Sequence, residues 1–515
     1  MPTTFAPDAR RARGHRAAAV LRPVLAALLV LAATLRAGAA ADDHDLWYII
    51  EMDGRRAGWM HLTQRTADGT VTTTSDTRIT LKRGSMPMHI RVESRFVETA
   101  EGRPLSMRCV QSLGTGPTTT ECTFAPDRIT CAATDDRGQR TEFEVPAPEG
   151  AWLPPAAAAE FVRKRLEAGA TRIELRTMDP ALGPRAITST TEVLERTTVE
   201  ALGRTLPAIR TRETSSALPG ISTVGYIDER GLPIRTSLDL GGIPMTVIAA
   251  DRDLATAEAD PPEIMRRTLV KPEGQIARPR GATRGVYVVS VPDGQLPDLP
   301  ETGSQRVEPL DERTARVTVA RSGTAAGAAP APDEATEKVL LAPSAMLDAT
   351  DGRIKNLAAR ATAGVAEATA RAEAMRRFVH GYITSKDLSV GFASASQVAQ
   401  TREGDCSEHA CLLAAMLRAD GIPARVVSGV VYVGAFLGEE GVFGYHMWTQ
   451  ALLTVDGSRR WVDLDATLPD GAPFDATHIA LAVSTLADGE ATNPLVTLVP
   501  LLGRARIKVE TVEYE

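Results

Sequence analysis

Residues 404–432 read GDCSEHACLLAAMLRADGIPARVVSGVVY, residues 443–448 read FGYHMW, and residues 460–467 read RWVDLDAT. These three stretches put a cysteine, a histidine and an aspartate on successive elements. Gly404 and Asp405 favour a turn and a helix start, and from Ala410 the apolar residues recur at Leu413, Ala414 and Leu417, which is helical spacing. Gly421 followed by Pro423 stops the helix. Cys406 therefore falls at or next to a helix N-terminus, where the macrodipole favours thiolate over thiol. Val442 to Val455 is rich in aromatic and β-branched residues and reads as a strand or two carrying His446. Asp456-Gly457 signals a hairpin, and Trp461 to Thr467 reads as the following strand. A histidine on a rigid strand can take a proton from a thiol, and an acid on the next strand can hold the ring in place.

The pieces GDCSEHA, LRADGIPAR, YHMW and WVDLDAT resemble the transglutaminase-like superfamily of papain-related cysteine enzymes. The resemblance covers the last third of the chain. It implies a papain-like C-terminal domain with Cys406 as nucleophile, His446 as base and Asp465 as orienter, and it implies neither cofactor nor metal. Ala466 stands where the family has proline. Asp463 is the rival to Asp465. Residues two apart on a strand share a face, so the spacing from Trp461 in the family pattern is what selects Asp465. The implied chemistry is cleavage or transfer of an amide bond in a protein or peptide substrate through a thioacyl intermediate. A reading of another class is a catalytically silent envelope module that binds peptide, glycan or lipid.

Other polar residues read more plainly. A zinc site from Cys406, His409 and Cys411 is disfavoured, because offsets of three and five do not share one helix face. His409 reads as a solvated or capping residue, Cys411 as core and His478 as a surface loop residue. Trp448 and Tyr432 read as core rather than cleft.

The 515 residues leave room for roughly three domains. A formal net charge of -7 gives no footprint for nucleic acid, and 4% aromatic content gives no stacking surface. Residues 1–41 read as a bacterial export signal: arginines 10, 11, 13, 16 and 22, an apolar run from Pro23 to Leu35, and small residues at 37–41. The expected location is the periplasm or the exterior, with membrane contact only through this segment if it stays uncleaved. Export permits disulfides. Ala125-Pro126-Asp127-Arg128 reads as a turn that opposes Cys122 and Cys131; Cys109 is an alternative partner, and three reduced thiols remain open.

The fold class is α+β. Residues 42–255 form an antiparallel β-rich domain, a curved sheet or half-barrel. Its strands include Leu46 to Met52, Thr70 to Arg83, His89 to Glu98 and Glu192 to Leu202, with one helix from Pro155 to Ala168. The opening WYIIEMDGRRAGW (47–59) resembles envelope proteins with a lipoprotein-carrier-like half-barrel, which implies an apolar groove. Residues 267–321 form a small β subdomain with strands at Gly285 to Val291 and Thr314 to Ala320. Residues 322–332 are a linker too poor in apolar residues to bury a core. Residues 333–515 form the transglutaminase-like domain, which opens with alanine-rich helices, one of them from Ala363 to Tyr382. No phosphate-binding or dinucleotide fingerprint occurs.

Overall fold

The computed structural model describes residues 43–515 apart from 84–85, 114–115, 135–137, 219, 241, 322–328, 387–391, 488–497 and 499–500. The export segment expected at 1–41 lies outside the described residues, as does most of the linker expected at 322–332. Residues 44–250 build one antiparallel sheet of fourteen strands. At its centre β1 (His44–Met52) pairs with β14 (Pro244–Ala250), with Met52 opposite Met245. To one side the strands follow in chain order out to β8 (Arg140–Pro146). To the other they run back from β14 to β9 (Arg172–Met178). β8 and β9 are the two edges of the ladder, so the sheet is open.

Local chemistry explains the pairing. Asp53-Gly54 and Asp68-Gly69 both adopt positive φ at both residues, the mirror-image turn that matches strand twist. The strand Met86–Thr99 alternates buried and outward residues along most of its length, the period of two that puts every second side chain in the core. Cys122 lies directly opposite Cys131, flanked by the Thr123–Thr130 and Phe124–Ile129 pairs, and the two sulfurs are bonded. Cys109 is buried and outside this disulfide.

The helix Pro155–Glu167 is inserted between β8 and β9, with Pro155 at its first position, where a missing N–H costs nothing. The Glu98 carboxylate accepts from the Ala156 and Ala157 N–H groups at 2.9 Å each, and Ala158 and Val162 pack on Ile173 and Leu175. Ile50, Met52, Met60, Leu62 and Met245 are buried in an apolar core continuous with that of the C-terminal domain.

The next sheet begins with β15 (Ala282–Ser290), β16 (Gln305–Asp311) and β17 (Thr314–Ala320). β16 had no clear signal, because its outer residues are polar or charged on both faces. The C-terminal domain holds β18 (Ala424–Phe436), β19 (Glu439–Val455), β20 (Ser458–Leu464) and β21 (His478–Ser484) in the order β20-β19-β18-β21. A last strand, β22 (Arg506–Tyr514), leaves this domain and pairs with β15. The small subdomain read as 267–321 therefore also takes residues from the segment read as 333–515. RIKVETVEY reads as a strand, but its partner is set by tertiary contacts that no local pattern carries.

Helices Gly352–Ala361, Ala368–Tyr382 and Ala395–Thr401 pack around the helix Cys406–Ala419. Every residue of that helix from Cys406 to Arg418 is buried, as for a helix enclosed on all sides. The helix expected from Ala363 starts at Ala368, because the Glu367 carboxylate accepts from the Thr369 and Ala370 N–H groups and caps it there. Among the described residues no helix is long and apolar enough to cross a membrane.

Candidate active site

Cys406 is the first residue of its helix, and Asp405 is the cap. The Asp405 carboxylate accepts from the Ser407 N–H at 3.2 Å, while the Glu408 carboxylate reaches back to the Asp405 N–H at 3.0 Å. This reciprocal capping box fixes the turn that presents the cysteine. Gly404 is required for it: a Cβ there would lie 2.2 Å from the Glu408 side chain. Glu408 also accepts from the Ala393 N–H at 2.9 Å, which ties the preceding segment to the helix start. Burial, then the neighbouring Asp405, push its carboxyl up to about 8. The Cys406 thiol itself is 0% exposed.

The helix lies on β19, where Thr449 Oγ1 donates to the Ala410 carbonyl at 2.9 Å. β19 carries His446, buried, whose Nε2 lies 2.8 Å from Asp465 Oδ2. Asp465 sits just past the end of β20, in a turn rather than on the strand. Strand parity therefore does not govern it, and the two rival aspartates separate. Asp463 accepts from Trp448 Nε1 at 2.7 Å and Gln450 Nε2 at 2.8 Å. Asp465 faces the imidazole. Burial dominates at Asp463 and raises its pKa. At Asp465 burial is outweighed, first by His446 and then by His478, and the carboxyl is held well below the usual range.

Asp465 is also gripped from behind. Its Oδ1 accepts from the Thr467 N–H at 2.8 Å and the Thr467 hydroxyl at 2.7 Å. Buried Arg376, paired with Glu373, donates to the Leu468 carbonyl at 2.7 Å and the Asp465 carbonyl at 3.4 Å. His380 Nδ1 lies 3.2 Å from the Ala466 carbonyl.

Two histidines depart from their sequence reading. His409 is buried rather than solvated, with Nδ1 2.6 Å from the Asp405 carbonyl. His478 is not in a surface loop: it opens β21, fully buried, with Nε2 3.3 Å from Asp465 Oδ2. Its own Nδ1 faces the Asp475 carbonyl at 3.0 Å, and Asp475 pairs with Arg280. The signal that points to Asp475 is a repeat. Asp465-Ala466-Thr467 recurs as Asp475-Ala476-Thr477, and in both turns the aspartate Oδ1 accepts from the threonine N–H and hydroxyl. Cys411, Trp448 and Tyr432 are buried, as their core reading expects.

The ligand atoms of His446, Asp465 and His478 lie within 4.8 Å of one another, a spacing that a metal could use. The 2.8 Å separation of His446 and Asp465 is that of a hydrogen bond. Two ligands at ~2.0–2.1 Å on a tetrahedral zinc would stand roughly 3.3 Å apart. The His446–Asp465 contact is closer than that.

Residues 355–466 match the core of the transglutaminase-like superfamily. The domain that carries Cys406, His446 and Asp465 is thus a transglutaminase-like domain. No curated protein matches the chain. Three solved structures are similar in part. One is a β-barrel-like protein from Brucella abortus, of unknown function, at 13% identity, covering 41% of this chain and 98% of its own, TM-score 0.32. The second is a candidate cysteine protease from Cytophaga hutchinsonii, at 15% identity, covering 45% and 86%, TM-score 0.27. The third is a candidate protease from Parabacteroides distasonis, at 11% identity, covering 73% and 68%, TM-score 0.18.

Proposed function

We propose that the protein is an exported transglutaminase-like cysteine enzyme that cleaves or transfers an amide bond in a peptide or protein. The observation that carries this reading is the buried His446–Asp465 hydrogen bond beside a helix whose first residue is Cys406. With Nε2 committed to Asp465, Nδ1 of His446 is the nitrogen that exchanges the proton with the thiol. The Cys406 thiolate attacks the carbonyl carbon and forms a tetrahedral oxyanion facing the N–H groups at the helix start. The His446 imidazolium protonates the leaving amine, leaving a thioester. Water or a second amine then attacks the thioester while His446 takes its proton, the C–S bond breaks, and the Cys406 thiolate leaves as the acid or new amide is released. The Cys122–Cys131 bond supports export to an oxidising compartment, as do the basic and apolar residues of 1–41.

The enclosed thiol favours a second reading, the silent binding module. One experiment separates the two: the rate of Cys406 alkylation by iodoacetamide against pH, in the wild type and in His446→Ala, with the modified peptide identified by mass. Reactivity that persists well below pH ~8.5, the free-thiol value, and is lost in the variant supports the enzyme. An inert thiol, or an ordinary profile in both proteins, supports the module.

A further inference from the structure

Both ring nitrogens of His478 face acceptors. Nδ1 lies 3.0 Å from the Asp475 carbonyl and 3.3 Å from Asp475 Oδ1, and Nε2 lies 3.3 Å from Asp465 Oδ2. A neutral imidazole has one N–H, so donating at both nitrogens requires the cation. The carboxylates do not supply the missing proton. Asp465 already accepts from Thr467 twice and from His446, and Asp475 accepts from Thr477 twice and from Arg280. Donors occupy both oxygens of each, as for ionised acids.

We propose that His478 is a positioning residue, held as an imidazolium between Asp475 and Asp465, and that the chain Arg280–Asp475–His478–Asp465 fixes the orienting carboxylate while lowering the basicity of His446. This rests on the reading of Cys406, His446 and Asp465 as a triad. Charges alternate along the chain and sum to zero, so Asp465 acts on His446 with its charge partly compensated. The ring of His478 stands 5.8 Å from that of His446. Burial alone would lower the His478 pKa, but Asp475 first and then Asp465 outweigh it and hold it above the ordinary range.

Charged and titratable groups pack against these rings from several elements. His446 meets Asp465 and His478. His478 meets Asp465, Asp475 and His446, with the Phe474 and Trp448 rings at 4.3 and 5.4 Å. Asp475 meets Arg280, and Tyr287 lies close enough to feel its charge. Arg280 comes from the turn Pro279–Gly281 that enters β15 and also donates to the Tyr432 carbonyl at 3.1 Å. Arg280, Asp475 and His478 all lie outside the family-matched residues 355–466. The small β subdomain thus contributes a charge to the site.

The test is the pH profile of Cys406 alkylation by iodoacetamide in the full chain: wild type, His478→Gln and Arg280→Ala. Removing the imidazolium leaves more negative charge at the Cys–His pair, so the midpoint of thiolate formation rises, by about 1 pH unit in His478→Gln. A smaller rise in the same direction is expected for Arg280→Ala, whose charge is further away. A lower rate with an unmoved midpoint would mean a merely structural role and overturn the proposal. Should His478→Gln fail to fold, Arg280→Ala carries the same test. Nitrogen NMR of the histidine-labelled wild type reads His478 directly: both ring nitrogens protonated at pH 7.5 supports the proposal, and a neutral ring there overturns it. An ordinary thiol profile in the wild type would instead sink the triad reading; the NMR result would still decide the charge of His478.

Discussion

The fourteen-stranded sheet and the four-stranded sheet of the C-terminal domain use the same ionic chemistry at two depths. On the large sheet Arg108 faces Glu121, Arg210 faces Glu195 and Arg212 faces Glu192, each pair directly opposed in register and each about half exposed. Such pairs favour the register, keep the surface soluble and contribute little else. Around the candidate site of the C-terminal domain the charged groups are enclosed. Asp465, Asp475, His446 and His478 are each 2% exposed or less. There an ion loses its water, so each must be matched by a partner, and removing one strands the other. The lesson is that depth, rather than the count of ion pairs, decides which of them can do chemistry.

The sharpest way to break this contrast is Asp465→Ala. It leaves two buried imidazoles without their shared acceptor, and a loss of about 3–5 kcal/mol is expected in the urea unfolding of the C-terminal domain. Asp465→Asn keeps the volume, and there the expected effect is on turnover, a fall on the order of 10⁴-fold once a substrate is in hand. Next comes the one covalent tie among the described residues of the large sheet. Replacing Cys122 and Cys131 by serine should cost about 2–3 kcal/mol through the unfolded chain, read as an earlier urea transition that reductant reproduces in the wild type.

Smaller again is Glu408→Gln. An amide can accept at one atom only, so one of the Ala393 and Asp405 N–H groups loses its partner, with an expected cost of about 1–2 kcal/mol. The same residue sharpens the comparison through pH. Its folded pKa is raised to about 8, so its contribution is complete below ~4.3 and is lost as pH rises through 8. His478, also raised, acts in the same sense from ~6.5 upward, and Glu98 on the large sheet, pushed up to about 7 by burial, adds to it. Asp465, held low, contributes above ~3.9 and loses this as pH falls. Thermal stability should therefore peak at roughly pH 4–4.5 and decline from there toward pH 9, and Glu408→Gln should flatten the decline. The smallest effect is expected at the exposed end: Arg108→Ala should move the urea midpoint by no more than about 0.5 kcal/mol.

Much of this was legible in the residues. The Asp-Gly turns, the cysteine hairpin and the strand Thr70–Arg83 follow from period-two alternation and turn chemistry, which are local. Cys406 at the helix start was legible because the cap, the glycine and the apolar spacing are neighbours in sequence. The roles of Asp463 and Asp465 were not separable, since the difference lies in where β20 ends and the chain turns. His478 was misread because a lone histidine after a proline-rich turn looks like surface; its burial is set by Phe474, Trp448 and Asp465 converging from other elements. Arg280 lies far from the motif in sequence, and no spacing rule reaches it.

The last strand has a consequence for assembly. β15 lies between β17 and β22, and residues 321–505 separate β17 from β22 in sequence. Until β22 docks, one edge of β15 is unpaired and open to another chain. Pairing across so long a separation closes a large loop, so this small sheet, the piece that delivers Arg280, is complete only when the two ends of that segment meet.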